Sequence, residues 1–229
     1  MGYGAVILDT DGVLTERTSS EVWRAAARAA FAAFDVDPTT EGVDGVRHGS
    51  LSRVRRVCAL HDVPVESFWS LYEARAAAAQ RRALEAGRKP LYDDVEVLFE
   101  LGCDLAIVSN NQHRTVEHVL DVYGLDGLFA VVYGREPSLN AVQLKKPSPH
   151  YVRRALDDLG LALAVGPGLD ADRGSDAALY VGDSNVDVLA ARRAGIDSAF
   201  VRRPHRRGYE LAAEPTYEFE SLHDLRAVC

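Results

Sequence analysis

The chain has 229 residues, close to half of them apolar, enough for one compact domain with an inserted subdomain or for two small domains. Its 26 basic residues face 34 acidic ones, a formal net charge of -8, which argues against the phosphate backbone of nucleic acid as a main partner. No apolar run approaches the length that crosses a bilayer, and Met1-Gly2-Tyr3-Gly4 leads straight into an apolar strand, so neither a membrane span nor a signal peptide is expected.

The first element is a short buried strand at residues 4–9, with Ala5-Val6-Ile7-Leu8 as its apolar run. It ends in Asp9-Thr10-Asp11-Gly12. Side chains at i and i+2 of an extended chain point to the same side, so Asp9 and Asp11 converge, and Gly12 permits a sharp reversal after them. An Ala-rich helix follows from about Ser20 to Phe34, with Ser19 or Ser20 as its cap. Glu41–Gly49 reads as a Gly-dotted loop. Further helices are predicted over Leu51–His61 and Glu66–Glu85, the latter ending at Gly87.

Residues 16–88 therefore form an all-helical insertion, and residues 1–15 and 89–229 the remaining unit. Beyond Pro90 the pattern alternates: a helix over Asp93–Leu101, a strand over Asp104–Val108 and a helix over Arg114–Tyr123. Next come a strand over Ala130–Tyr133, a helix over Pro149–Leu159, and a strand over Ala178–Val181. A helix over Asp187–Ala194 and a final strand over Ser198–Val201 complete the series. Alternating strands and helices predict an α/β fold: a doubly wound parallel sheet whose ligands sit at the carboxyl ends of its strands. The Gly-, Asp- and Pro-rich stretch 162–176 reads as a surface loop.

Four groups fall at strand carboxyl ends. Asp9 and Asp11 suggest a divalent cation and acid/base chemistry. Ser109-Asn110, with the free N–H groups of the next helix start, would hold a phosphate oxygen, although an isolated Ser-Asn is more simply read as a helix cap. Lys146, ahead of Pro147-Ser148-Pro149, would neutralise phosphoryl charge and the nucleophile, leaving Lys145 to point away as a surface residue. The chain has only three lysines, Lys89, Lys145 and Lys146, so one that survives is a candidate for a chemical task. Asp183 and Asp187, opening a helix after Val181-Gly182, could complete an oxygen shell for Mg²⁺.

The order and spacing of these four groups, together with the helical insertion after the first, resemble the haloacid dehalogenase-like hydrolase superfamily. Asp9-Thr10-Asp11-Gly12-Val13-Leu14-Thr15 is similar to its first motif and Ser109-Asn110 to its second. Lys146-Pro147-Ser148-Pro149 resembles the third and Gly182-Asp183-Ser184-Asn185-Val186-Asp187 the fourth. The insertion is similar to the small cap of phosphoglycolate phosphatase and β-phosphoglucomutase relatives, over a Rossmann-like core.

The resemblance implies that Asp9 attacks phosphorus and forms an aspartyl-phosphate, while Asp11 protonates the leaving alcohol and then activates water. It implies Mg²⁺ held by the Asp9 carboxylate, the Asp11 carbonyl and Asp183, with Asp187 ordering a metal-bound water. Thr10, Ser109, Asn110 and Lys146 then form the phosphate-binding set. The dehalogenase branch lacks an acid two residues after its nucleophile; Asp11 therefore favours phosphoryl transfer. Thr10 and Val13 depart from the family's usual bulky apolar residue and Thr, and neither removes a reacting group.

The expectation is a Mg²⁺-dependent phosphatase acting on a small phosphorylated metabolite, in the cytoplasm, as a monomer or homodimer. A phosphomutase of the β-phosphoglucomutase type and a non-catalytic binding protein on the same fold are the alternatives. Arg47 and His48 could recognise a substrate carboxylate or second phosphate, against solvated loop positions as the simpler reading. Arg202, Arg203, His205, Arg206 and Arg207 read as an exposed basic loop face. Trp23 and Trp69 read as packing. Cys58, Cys103 and Cys229, odd in number and without a C-x-x-C pair, read as reduced thiols.

Overall fold

The computed structural model describes residues 2–47, 50–161 and 178–229. Six strands form one sheet: β1 (Ala5–Leu8), β2 (Asp104–Gln112), β3 (Val131–Arg135), β4 (Ala178–Gly182), β5 (Asp197–Val201) and β6 (Tyr217–Phe219). Their order is β3-β2-β1-β4-β5-β6, parallel throughout. A strand of only four residues thus lies inside the sheet, between β2 and β4. Ala5 pairs with Asp104 on one side and Ala178 on the other, which puts the ends of β1, β2 and β4 side by side.

Strand periodicity divides the core. Val6, Leu8, Leu105, Ile107, Leu179 and Val181 face one layer, where α5 (His113–Val122) contributes Val116 and Leu120. Ala5, Ile7, Ala106, Val108, Ala178 and Tyr180 face the other, covered by α6 (His150–Asp158) and α7 (Asn185–Ala194). A strand buried on both faces must be apolar at successive positions, which is why β1 and β4 read as continuous runs. A third apolar cluster joins α1 (Ser20–Ala32), α2 (Thr40–Arg47), α3 (Leu51–Leu60) and α4 (Val65–Glu85) around Phe31, Phe68 and Tyr72. Among the described residues no helix is long and apolar enough to cross a membrane.

Several elements differ from the sequence expectation. Residues 41–47, expected as loop, belong to α2. Thr39 Oγ1 accepts from the Gly42 N–H at 3.1 Å, and Val43 and Val46 turn inward one helical turn apart. Cβ atoms built on Gly42 and Gly45 would already touch Val57 at 3.4 Å, so the glycines that suggested a loop instead set close packing on α3. The helix expected over Asp93–Leu101 is a 3₁₀ helix, Asp93–Glu100, its first turn held by the bonds of the Asp94 carboxylate to Arg203, Ser221 and the Leu222 N–H.

Ser19 occupies the N-cap position of α1 but makes no side-chain cap bond. The strand after β5 was overlooked: β6 has only three residues, too few to show a period, and forms because β5 offers it an open edge. Residues 162–176, expected as a surface loop, lie outside the described residues.

Candidate active site

Asp9, 9% exposed, follows β1, and its N–H still donates to the Val181 carbonyl at 3.0 Å, so the sheet ladder fixes its backbone. One carboxylate oxygen, Oδ1, accepts from the Thr10 N–H at 2.7 Å; the other, Oδ2, lies 3.0 Å from Lys146 Nζ. Thr10 Oγ1 and Ser109 Oγ share a hydrogen bond of 2.8 Å across the β1–β2 boundary. The register of β2 against β3 shifts between Val108 and Gln112, and this irregularity turns Ser109 and Asn110 out of the plain ladder.

Lys146 is buried. Its ammonium donates to the Val108 carbonyl at 3.0 Å and the Tyr180 hydroxyl at 2.6 Å, and lies 2.7 Å from Asp187 Oδ1. Burial opposes its charge, but Asp187 and Asp9 prevail and hold its proton well above the usual lysine range. Asn110 spends both ends of its amide on the Lys146 backbone, accepting from its N–H at 2.7 Å and donating to its carbonyl at 3.1 Å. Its side chain therefore positions the lysine, and only its backbone is left for an oxyanion.

Burial pushes the Asp9 carboxyl up to about 6; Lys146 opposes the rise, while Asp187 and Asp183 add to it. Oxygens of Asp9, Asp183 and Asp187 lie within 4.8 Å of one another. Asp187 Oδ1 accepts no aligned hydrogen bond despite its nearness to Lys146. Three carboxylates, one with an unused lone pair, held by the ends of β1 and β4 and the first turn of α7, fit a small hard dication. The Asp11 carboxylate stands apart from this group. It pairs with Lys89 and accepts from Thr18 Oγ1 at 2.8 Å and Asn111 Nδ2 at 3.4 Å. Burial would raise it, but the Lys89 charge and hydrogen bond win and hold it below the usual carboxylate range.

Two backbone approaches depend on glycine. A Cβ on Gly12, whose φ is +88°, would stand 2.5 Å from Asp183 Oδ2; one on Gly182 would overlap the Asp187 side chain.

A cavity of about 200 Å³ opens over these groups, lined by Asp9, Asp11, Ser109 and Asn110 and, from the helical layer, by Trp23, Arg47, Trp69, Tyr72 and Glu73. Arg47 faces it while also bonded to Asp44 at 3.2 Å; His48 lies outside the described residues. Two expectations need correction, those for Lys145 and for the run after β5, while Trp23 and Trp69 pack as expected and have a second role. Lys145 does not point away: it is half-buried and lines the cavity beside Arg135, because the turn before Pro147 lies under the helical layer. Trp69 packs in the apolar cluster and also lines the cavity, its indole N–H donating to the Pro137 carbonyl at 3.0 Å; Trp23 lines it as well.

The run after β5 is only partly an exposed face: His205 and Arg207 are exposed, Arg202 and Arg206 half-buried and Arg203 buried. Arg203 is 4% exposed and makes a two-pronged pair with Asp94 at 2.6 and 2.9 Å, while His205 and Arg206 reach Asp183 Oδ2 at 2.7 and 2.9 Å. Burial would raise Asp183; the bonds from His205 and Arg206 override it and keep the carboxylate ionised. The run directly follows a core strand, on the same edge as the other four groups, and that position was the available signal. Lys89 and Asn111 were also missed. Lys89 is one of only three lysines, but nothing local in the sequence shows that it meets Asp11.

The model of the haloacid dehalogenase-like hydrolases matches residues 3–195. Phosphoglycolate phosphatase 1 of Pseudomonas aeruginosa is 27% identical over 232 residues, covering 96% of this chain and 77% of that protein. The pyrophosphatase PpaX of Halalkalibacterium halodurans is 29% identical over 136 residues, 59% of this chain, and the chain spans only 56% of its length. Among solved structures, CbbY of Rhodobacter sphaeroides in complex with phosphate shares the fold with a TM-score of 0.67, at 23% identity over 98% of this chain and 96% of that one.

Proposed function

Because the chain belongs to the haloacid dehalogenase-like hydrolases, we propose that it is a cytoplasmic, Mg²⁺-dependent phosphatase that hydrolyses a small phosphorylated metabolite through an aspartyl-phosphate on Asp9. The observation that carries this reading is the convergence of Asp9, Asp183, Asp187 and Lys146, with Asp9 lining one small cavity. Residues 16–88 act as the cap and residues 1–15 and 89–229 as the core. The names of the two curated relatives support a phosphate ester or anhydride as substrate.

Asp9, Asp183 and the Asp11 carbonyl would hold the cation, with Asp187 ordering its water. The bound ion would offset phosphoryl charge and keep the Asp9 carboxylate ionised. In the first half-reaction an Asp9 oxygen forms a bond to phosphorus as the bond to the leaving oxygen breaks, and Asp11 delivers a proton to that oxygen. In the second, Asp11 takes a proton from the water that attacks phosphorus, and Asp9 leaves as a carboxylate. Thr10, Ser109 and Lys146 bind the non-bridging oxygens. The Lys89 pair keeps Asp11 ready as a base. For the acid half that pair must open, since a carboxyl beside an ammonium does not retain a proton at neutral pH.

Phosphate release from p-nitrophenyl phosphate should require Mg²⁺, stop on chelation with EDTA and return when the metal is restored. Release that continues in metal-free buffer would refute the proposal. Gly12→Ala should push on Asp183 and weaken divalent-metal affinity by about 10- to 100-fold, the usual effect of disturbing a ligand's support. Calorimetric metal titration reads this, and an affinity equal to wild type would remove Gly12 from the site.

A further inference from the structure

The cavity is also lined by a group of charges that phosphoryl transfer does not use. Glu73, on α4 and 5% exposed, pairs through Oε1 with Arg135 at 2.7 Å. The Arg135 guanidinium also donates to the Glu136 carbonyl at 2.9 Å and sits 5.4 Å over the Trp69 ring. The other Glu73 oxygen, Oε2, is buried and accepts no hydrogen bond. A buried carboxylate lone pair without a donor is costly, and Glu73 is one of the residues that line the cavity. Lys145 lines the same cavity, and among the described residues its ammonium makes no hydrogen bond or ion pair.

We propose that Lys145 and Glu73 form a leaving-group subsite selecting a phosphate ester whose alcohol carries a second anionic group beside a hydroxyl. The anion sits on Lys145 Nζ, and the hydroxyl donates to Glu73 Oε2. The inference rests on the phosphatase reading and names its substrate class. Burial pushes the Lys145 ammonium down to about 8, Arg135 adding to the shift and Glu73 opposing it. A cation so poorly solvated gains more from a bound anion than an exposed lysine does. The cavity, at about 200 Å³, is below the range of drug-sized pockets, which suits a leaving group of a few carbons.

Three probes separate the parts: 3-phosphoglycerate carries both groups, glycerol 3-phosphate lacks the carboxylate, and 3-phosphopropionate lacks the hydroxyl. With Mg²⁺, wild type should prefer 3-phosphoglycerate to glycerol 3-phosphate by at least about tenfold in kcat/KM, mostly through KM. Lys145→Met should collapse that ratio and Lys145→Arg restore it. Glu73→Gln keeps an oxygen for Arg135 but turns the free position into a donor, and should erase the preference for 3-phosphoglycerate over 3-phosphopropionate. A wild type without these preferences, or a preference that survives Lys145→Met, overturns the proposal. Should no ester be hydrolysed, the phosphatase reading fails separately. Calorimetric binding of the same three probes to Asp9→Asn still tests the subsite, with the same ratios expected and their absence decisive against it.

Discussion

Asp9→Asn should lower phosphate release by roughly 10⁴-fold or more, the scale at which loss of an attacking group is felt. The carboxamide occupies the same volume and can still accept from the Thr10 N–H, so the defect lies in nucleophilicity rather than shape. Stability distinguishes this from structural damage. Burial raises the folded-state Asp9 from its ordinary 3.8 to about 6, so the metal-free folded protein binds a proton more readily than the unfolded chain does. Its burial therefore destabilises increasingly as pH rises through that window, and the penalty is complete above about 6. At pH 7.5 the metal-free variant should melt no lower than wild type. Added Mg²⁺ should raise the wild-type melting temperature more than that of the variant, which lacks one anionic ligand. Melting curves by circular dichroism check both points, and a variant that melts far lower would make Asp9 structural.

Asp94→Ala should destabilise the fold by about 3–5 kcal/mol, because it strands the buried Arg203 guanidinium without its partner. For a chain of this length that corresponds to roughly 6–20 °C in Tm. Asp94 serves four donors from distant parts of the chain: two from Arg203, the Ser221 hydroxyl and the Leu222 N–H. Burial would raise its carboxyl, yet the Arg203 bonds, then the Leu222 N–H, hold it below the ordinary 3.8. A depressed carboxyl contributes stability above 3.8 that is lost as pH falls through the lower folded value. The difference between wild type and Asp94→Ala should therefore be flat across neutral pH and shrink below about pH 4. Arg203→Met, removing charge and pairing on the other side, should cost less than a second full increment in the Asp94→Ala background, since the two share one interaction.

Much of the sheet was legible because a strand buried on both faces leaves a contiguous apolar mark, and β1, β2 and β4 each carry one. The same marks located Asp9, Ser109 and Asp183, which follow those runs directly. Pairings across the chain left no such mark. Nothing near Lys89 announces Asp11, and nothing near Arg203 announces Asp94, since each pair is made by folding. Lys145 and Lys146 show the limit most plainly. Adjacent lysines point to different places, and the sequence reading gave a task to only one of them. Glycines misled in α2, where they permit tight helix packing rather than a loop.

The strand order has a consequence for how the molecule comes into being. β1 is made before either of its partners, which begin at positions 104 and 178. Until β4 has emerged, Asp9 and Asp11 sit on a strand with an open edge, and Asp183 and Asp187 do not yet exist. Contacts so distant in sequence form late, because a long loop must close before they repay it. The nascent chain thus carries Asp9, the proposed nucleophile, without the other groups of the site, which assemble only when residues 178–187 fold against β1.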